Sequence, residues 1–390
     1  MASNLTKTTK SVKKLLIFFL VFIVIIILAD YFIKSTSPIT PPGDTTNSKY
    51  YPIKNEIFSK IPYPQIKGLT VANPTKIKVS KDTVKFPEFP PVLNIYKLKP
   101  EQEHLNEANQ AREIAKTLEL TSGESKIINN VIYFETINAD RVFSFDKAQR
   151  LWNYRIKSLG INALGLKEIE KYKTAALSFM SSMQLNSGKY FEIDYTEGYI
   201  TYLDNQGNYT SLTTNNANSA RILLNKKILA IQPTTEKVPT LYSTIQRPNS
   251  TDSIASMTII NKGEKIYSDM YSFSYKAHDY ETNIGIYPIL SAAEAFEKIQ
   301  NDGGYLFSMV EKNGNVFQNN NTQTIMEFKL TVNSTKLIYI EAETISSQEP
   351  WTQYLQPFYK FSGQAKSTYN KDYLFSFIVP ALADASYSGL

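Results

Sequence analysis

Apolar and polar positions alternate along most of this 390-residue chain, and the period of the alternation changes repeatedly. Leu105, Ala108, Ala111, Ile114, Ala115 and Leu118 recur at spacings of three and four, which predicts one buried face of a helix ended by Thr121-Ser122-Gly123. Leu166, Ile169, Tyr172, Ala176, Phe179 and Met183 predict a second helix in the same way. Ser291 and Glu294 form a capping-box signature for a third, with Leu290 and Ala295 as its staple and Phe296 and Ile299 continuing the buried face. Period-two runs predict strands over Val92–Leu98, Arg141–Asp146 and Leu151–Ile156, and over residues 76–79 and 127–137, with Asn138-Ala139-Asp140 as a turn. Residues 186–275 alternate strand-like runs with breaks, and residues 204–208 and 261–263 read as hairpin turns. The later strands fall at 326–332, 336–343, 354–361 and 373–379. One helix followed by several strands, repeated, is an α+β order of helix-plus-antiparallel-sheet domains. A degenerate internal repeat and a plain habit of placing helices before sheets explain it equally. Two such domains are expected, at residues 51–165 and 166–390.

Ahead of them the pattern is of another kind. Residues 15–29 are an unbroken apolar run, and with Tyr31, Phe32 and Ile33 the segment 15–33 is long enough to span a bilayer as a helix. Leu15, Phe18, Ile23 and Ile27 would face lipid, and Tyr31 and Phe32 would anchor at the headgroups. Lys7, Lys10, Lys13 and Lys14 lie in the tail 1–14, which the positive-inside rule keeps in the cytoplasm. A cleaved signal peptide is the competing reading, but its best cleavage position, after Ser35 and Ser37, is followed at once by Pro38. Either way the remainder is expected outside the cell membrane. Residues 34–50 form a Pro/Ser/Thr linker, a solvated spacer that holds the folded part off the membrane without orienting it.

Composition removes several function classes. The chain has no cysteine, so disulfides, iron–sulfur clusters and thiol catalysis are excluded. Its two histidines, His104 and His278, cannot build a multi-histidine metal site, and no cofactor is expected. Half of the net charge of +6 sits in residues 1–30, which hold four lysines and one aspartate. The rest carries no basic block, so nucleic acid is not an expected partner.

Candidate chemistry is thin. Both histidines read as surface residues, His278 in a polar Lys276-Ala277-His278-Asp279 stretch. Ser144 and Lys147 fit Ser-x-x-Lys without its companion motifs. Residues 160–167 fall one residue short of a phosphate loop. Glu341 and Glu343 share one side of a strand with Tyr339. A carboxylate pair can act on a glycan, but the wet face of an antiparallel sheet is the simpler reading. No catalytic residue is assigned, and the chain is not expected to be an enzyme.

The most particular text is C-terminal. It runs Tyr287-Pro288-Ile289, then Ser291 to Phe296, a strand with Ile338-Tyr339-Ile340, Pro350-Trp351, Tyr354 to Gly363, and Phe377 to Ala381. This resembles the C-terminal module of YycI/YycH-type extracytoplasmic regulatory proteins and, more loosely, PepSY-like domains, over about residues 287–381. The order of basic tail, single membrane helix and exported domains is similar too. The resemblance implies a regulatory interaction with a membrane partner, although the membrane helix here carries no contact motif of those regulators. Pro357 cannot donate to a ladder, so residues 354–361 are expected at a sheet edge or at a bulge, with Leu355, Tyr359 and Phe361 on one side and Phe358 and Lys360 on the other. Tyr354, Gln356, Phe358 and Lys360 are the candidate interaction residues, on an edge that could accept a partner strand.

The reading is a membrane-anchored extracytoplasmic interaction protein that binds the bilayer through residues 15–33 and another membrane or envelope protein through its folded part. A cell-envelope solute- or glycan-binding module, using the abundant tyrosines, is the alternative, and an envelope hydrolase a more distant one.

Overall fold

The computed structural model describes residues 50–68, 78–80, 85–99, 105–120, 126–136, 140–156, 169–183, 191–193, 202–203, 209–210, 219–249, 253–260, 270–276, 278–301, 304–312, 325–343 and 345–388. The first strands are β1 (Ile61–Pro62), β2 (Lys78–Ser80) and β3 (Val92–Leu98). Helix α1 (Leu105–Thr117) precedes β4 (Lys126–Ile128), β5 (Val131–Glu135), β6 (Arg141–Asp146) and β7 (Leu151–Ile156). Helix α2 (Ile169–Ser182) leads into β8 (Phe191–Ile193), β9 (Tyr202–Leu203), β10 (Tyr209–Thr210), β11 (Ser219–Ile231), β12 (Leu241–Gln246), β13 (Ala255–Ile260) and β14 (Met270–Lys276). After β15 (Tyr280–Pro288) come α3 (Ala292–Gln300), β16 (Tyr305–Glu311), β17 (Ile325–Ile340), β18 (Tyr354–Ser367), β19 (Asp372–Pro380) and β20 (Tyr387–Ser388).

The α+β expectation is corrected: the described residues are mostly strand, and sixteen strands share one mixed sheet. The sheet runs β15-β3-β18-β17-β12-β11-β13-β14-β7-β6-β5-β4, with β19 on β18, β16 on β19, β2 on β17 and β8 on β11. Most pairs are antiparallel, but β12–β17 and β2–β17 are parallel, as is the separate β1–β20 pair. Among the described residues the three helices occur where their apolar spacing predicts them, as short appendages on this sheet. Period-two text identifies strands and says nothing of which strand lies beside which. The boundary expected near residue 165 lies outside the described residues. The strands on either side of it are joined, because Ser272–Lys276 of β14 pair with Leu151–Arg155 of β7.

Local chemistry explains most elements. In β6 and β7 the apolar alternation sets Phe145 opposite Trp152 and Phe143 opposite Tyr154, and Phe145 stacks on Trp152 with centroids 4.1 Å apart. The strand expected over 127–137 is instead the hairpin β4–β5. Asn129 and Asn130 take φ of 49° and 66°, the left-handed pair that a two-residue turn requires and that asparagine tolerates. The two strands expected at 326–332 and 336–343 are one, β17, whose register against β18 shifts between Leu330 and Thr335.

Ser291 caps α3 as the sequence signature requires. Its hydroxyl accepts the Glu294 N–H at 3.2 Å, and the Glu294 carboxylate accepts the Ser291 N–H at 2.7 Å. Ala292, Ala295, Phe296 and Ile299 then face the core. Ser291→Ala removes one half of this box and is expected to cost about 1 kcal/mol, read as a small fall in the melting temperature of the full chain.

The larger core takes in the inner faces of all three helices, including Ile114, Phe179 and Phe296, together with Leu355, Tyr359 and Phe361 of β18. A second core contains Phe358 with Ile338, Ile340, Ile378 and Trp351. Strand β18 is therefore apolar toward two cores, and it is paired on both flanks.

Candidate functional site

The two groups of antiparallel strands meet at β12 and β17. Among the described residues this parallel ladder is the one strand pairing between β4–β8 with β11–β14 and the C-terminal strands. It spans Thr244–Ile338, Ile245–Tyr339 and Gln246–Ile340, and the Glu341 N–H prolongs it by donating to the Gln246 carbonyl at 3.0 Å. Strand β3 braces the joint by packing on β11. The Asn94 side-chain amide and the Tyr96 hydroxyl both donate to the Leu229 carbonyl, and the Tyr339 hydroxyl donates to the Asn94 carbonyl at 2.7 Å.

Charged side chains close the end of the ladder. Arg247, one residue beyond β12, lies 2.8 Å from Glu341, one residue beyond β17, and both side chains are 2% exposed. The contact is Coulombic rather than a hydrogen bond. The guanidinium directs its N–H groups to the Ala342 carbonyl (Nη1, 3.0 Å) and the Lys276 carbonyl (Nη2, 3.0 Å), so Arg247 ties the ends of β12, β14 and β17 together. The other Glu341 oxygen accepts from the Tyr280 hydroxyl at 2.7 Å. Lys226 of β11 stands 5.6 Å from the centre of the Tyr280 ring, and Arg150 pairs with Asp279 at 3.2 Å.

His278 lies between Lys276, whose carbonyl Arg247 holds, and Tyr280, which bonds Glu341; it is 5% exposed, and neither of its ring nitrogens has a hydrogen-bond partner. Burial lowers its pKa to about 4; the Glu341 charge opposes that shift, and Arg247, Lys276 and Arg150 reinforce it. Burial also lowers Lys226, again against the pull of Glu341. Tyr280 is raised well above the ordinary phenol value, first by burial and then by the carboxylate it bonds. The arrangement can hold strand ends together, and its imidazole can take up a proton. Among the described residues no cluster of metal-binding side chains occurs.

No family model matches the chain, and no curated protein matches it.

The candidate interaction strand is not an exposed edge. Strand β18 pairs with β17 on one flank and with β3 and then β19 on the other. The Pro357 carbonyl accepts the Ala381 N–H at 3.0 Å, so the proline nitrogen faces that second flank, at the point where the neighbour changes from β3 to β19. The missing N–H falls at the handover, which is how a proline enters a central strand. Tyr354 is half-buried against Phe58. Gln356 is buried and donates to the Pro62 carbonyl, and Phe358 is fully buried. Lys360, also buried, lies 5.0 Å from the Phe307 ring centre and 3.4 Å from the Gln246 side-chain oxygen. The alternation within β18 is as the sequence predicts.

His278 and Glu341 are likewise corrected. The first is buried rather than on a surface loop, and the second lies in the charged interior rather than on a wet face, while Glu343 is exposed. Ser144 lies half-buried on β6 and Lys147 in the following turn, apart from the joint. His104, residues 160–167 and the anchor residues Leu15, Phe18, Ile23, Ile27, Tyr31 and Phe32 lie outside the described residues. Among the described residues no helix is long and apolar enough to cross a membrane. Arg247, Lys226 and Tyr280 had no signal in the sequence, since their partners come from distant segments.

Proposed function

We propose that this chain is a membrane-anchored extracytoplasmic interaction protein that binds another membrane or envelope protein through its folded part. The observation that carries the reading is the order of the N-terminal text: four lysines, the apolar segment 15–33, then a proline-rich spacer ahead of a long folded chain. The C-terminal resemblance to YycI/YycH-type regulators supports the choice of a protein partner. So does the packing of several described aromatics with one another: Tyr96 with Tyr280 and Tyr339, Phe296 with Phe361 and Phe328 with Phe375.

Carbonate extraction and protease accessibility test the anchor. The full chain is expected to stay in the membrane pellet with its C-terminus cleavable from outside. Release by carbonate, or a C-terminus protected in intact cells, overturns the topology. Photocrosslinking probes belong at exposed apolar positions rather than in β18. Ile53 is 86% exposed, and Ile127, on the terminal strand β4, is 66% exposed. A discrete crosslink to one membrane protein is expected at one of them. Crosslinks to lipid alone or to none argue against a protein partner.

A further inference from the structure

We propose that the β12–β17 joint is an acid-sensitive latch, in which a proton taken up by the buried His278 ring draws Glu341 away from Arg247 and loosens the ladder between the two groups of strands. The geometry supplies each part. The ladder is three residue pairs long, and the Arg247–Glu341 pair stands at its open end. Both ring nitrogens of His278 are without partners, so the neutral ring contributes no hydrogen bond that protonation would break. A protonated ring is a double donor and needs an acceptor.

The groups that act on the ring come from four places. Arg150 precedes β7, Lys276 ends β14, Arg247 follows β12 and Glu341 follows β17. Three are cations and one is an anion. The imidazolium therefore either competes with Arg247 for the single facing carboxylate or stands uncompensated among positive charges. Both outcomes weaken the charge contact between Arg247 and Glu341 and leave the Arg247 hydrogen bond to the Ala342 carbonyl in place. Lys226, across Glu341, adds to the positive side, and Asp279 is engaged with Arg150. The Ser243 hydroxyl donates to the Leu337 carbonyl at 2.7 Å and Lys360 meets Gln246, and neither contact involves the histidine, so loosening at the charged end need not separate the strands completely.

The sign follows from linkage. The closed joint holds the ring neutral down to about pH 4, whereas a released ring titrates near 6.5, so the open form gains on the closed form as pH falls through that window. Between pH 7 and pH 4 the gain is about a hundredfold.

Hydrogen exchange of the full chain, corrected for intrinsic rates, reads it. Protection at Thr244–Gln246 and Ile338–Ile340 is expected to fall by about a hundredfold from pH 7 to pH 4 relative to the β5–β6–β7 meander. His278→Gln is expected to remove this fall, and Glu341→Gln to give low protection at both pH values. An equal fall at joint and meander overturns the latch, as does an unchanged fall in His278→Gln. If that variant does not fold, ring-proton NMR decides on the unsubstituted chain, where only two histidines contribute. A His278 ring that titrates near 6.5 while the joint stays protected also overturns it.

Discussion

Arg247→Ala is expected to destabilise the folded unit by about 3–5 kcal/mol, because it leaves the Glu341 carboxylate buried without its counter-charge. The same substitution removes the hydrogen bonds that the guanidinium gives to the Ala342 and Lys276 carbonyls. For a unit of this size the change corresponds to a melting temperature lower by about 4–7 °C, measurable by calorimetry of the full chain. The double variant Arg247→Met with Glu341→Leu separates cause from consequence. Removing both charges and filling the space with apolar groups is expected to recover most of the loss, since a buried ion pair owes little net stability to its own attraction. A double variant no more stable than Arg247→Ala would mean that the carbonyl contacts, and not the stranded carboxylate, dominate.

Phe358→Ala is the second large effect, also about 3–5 kcal/mol. The ring is fully buried between Ile338, Ile340, Ile378 and Trp351 in the second core, and neighbouring strands on both flanks resist collapse into the cavity. Tyr369, 77% exposed, is the control, and Tyr369→Ala is expected to stay within about 0.5 kcal/mol. Denaturant melts of both variants check the contrast. Had residues 354–361 formed an exposed edge, Phe358→Ala would weaken a partner's binding and leave the melt unchanged.

What could be read from the sequence was local. The bounds of Val92–Leu98, Arg141–Asp146 and Leu151–Ile156 follow from alternation confined to a single strand, and the α3 cap follows from two residues three apart. The α+β expectation fails where position depends on distant chain. Nothing near Gln246 says that it will lie beside Ile340, and nothing near β7 says that β14 will extend its sheet. Pro357 predicts an edge or a bulge because a proline breaks a uniform ladder. Here the ladder is not uniform, since one neighbour ends and another begins at that residue. His278 reads as solvated from its polar Lys276–Asp279 stretch, and Glu341 from sharing one face of a strand with Glu343. Their burial depends on Arg247, which arrives from another strand, so the charged site could not be located from the local text. The Asn129-Asn130 turn, by contrast, carried a readable signal in its two adjacent asparagines.

The separation in sequence between the two sides of the joint has a kinetic consequence. Strand β12 has β11 on one side from the outset, but its other side waits for β17. Ribosomes add about 5–20 residues per second, so the outer edge of Leu241–Gln246 stays unpaired for roughly 5–20 s of synthesis before Ile338–Ile340 exist to cover it. An open strand edge is a template for pairing with another chain. The time between making Gln246 and making Ile340 is thus an interval in which this protein is exposed to aggregation, and a holding chaperone acting during synthesis would raise its yield more than one acting after release.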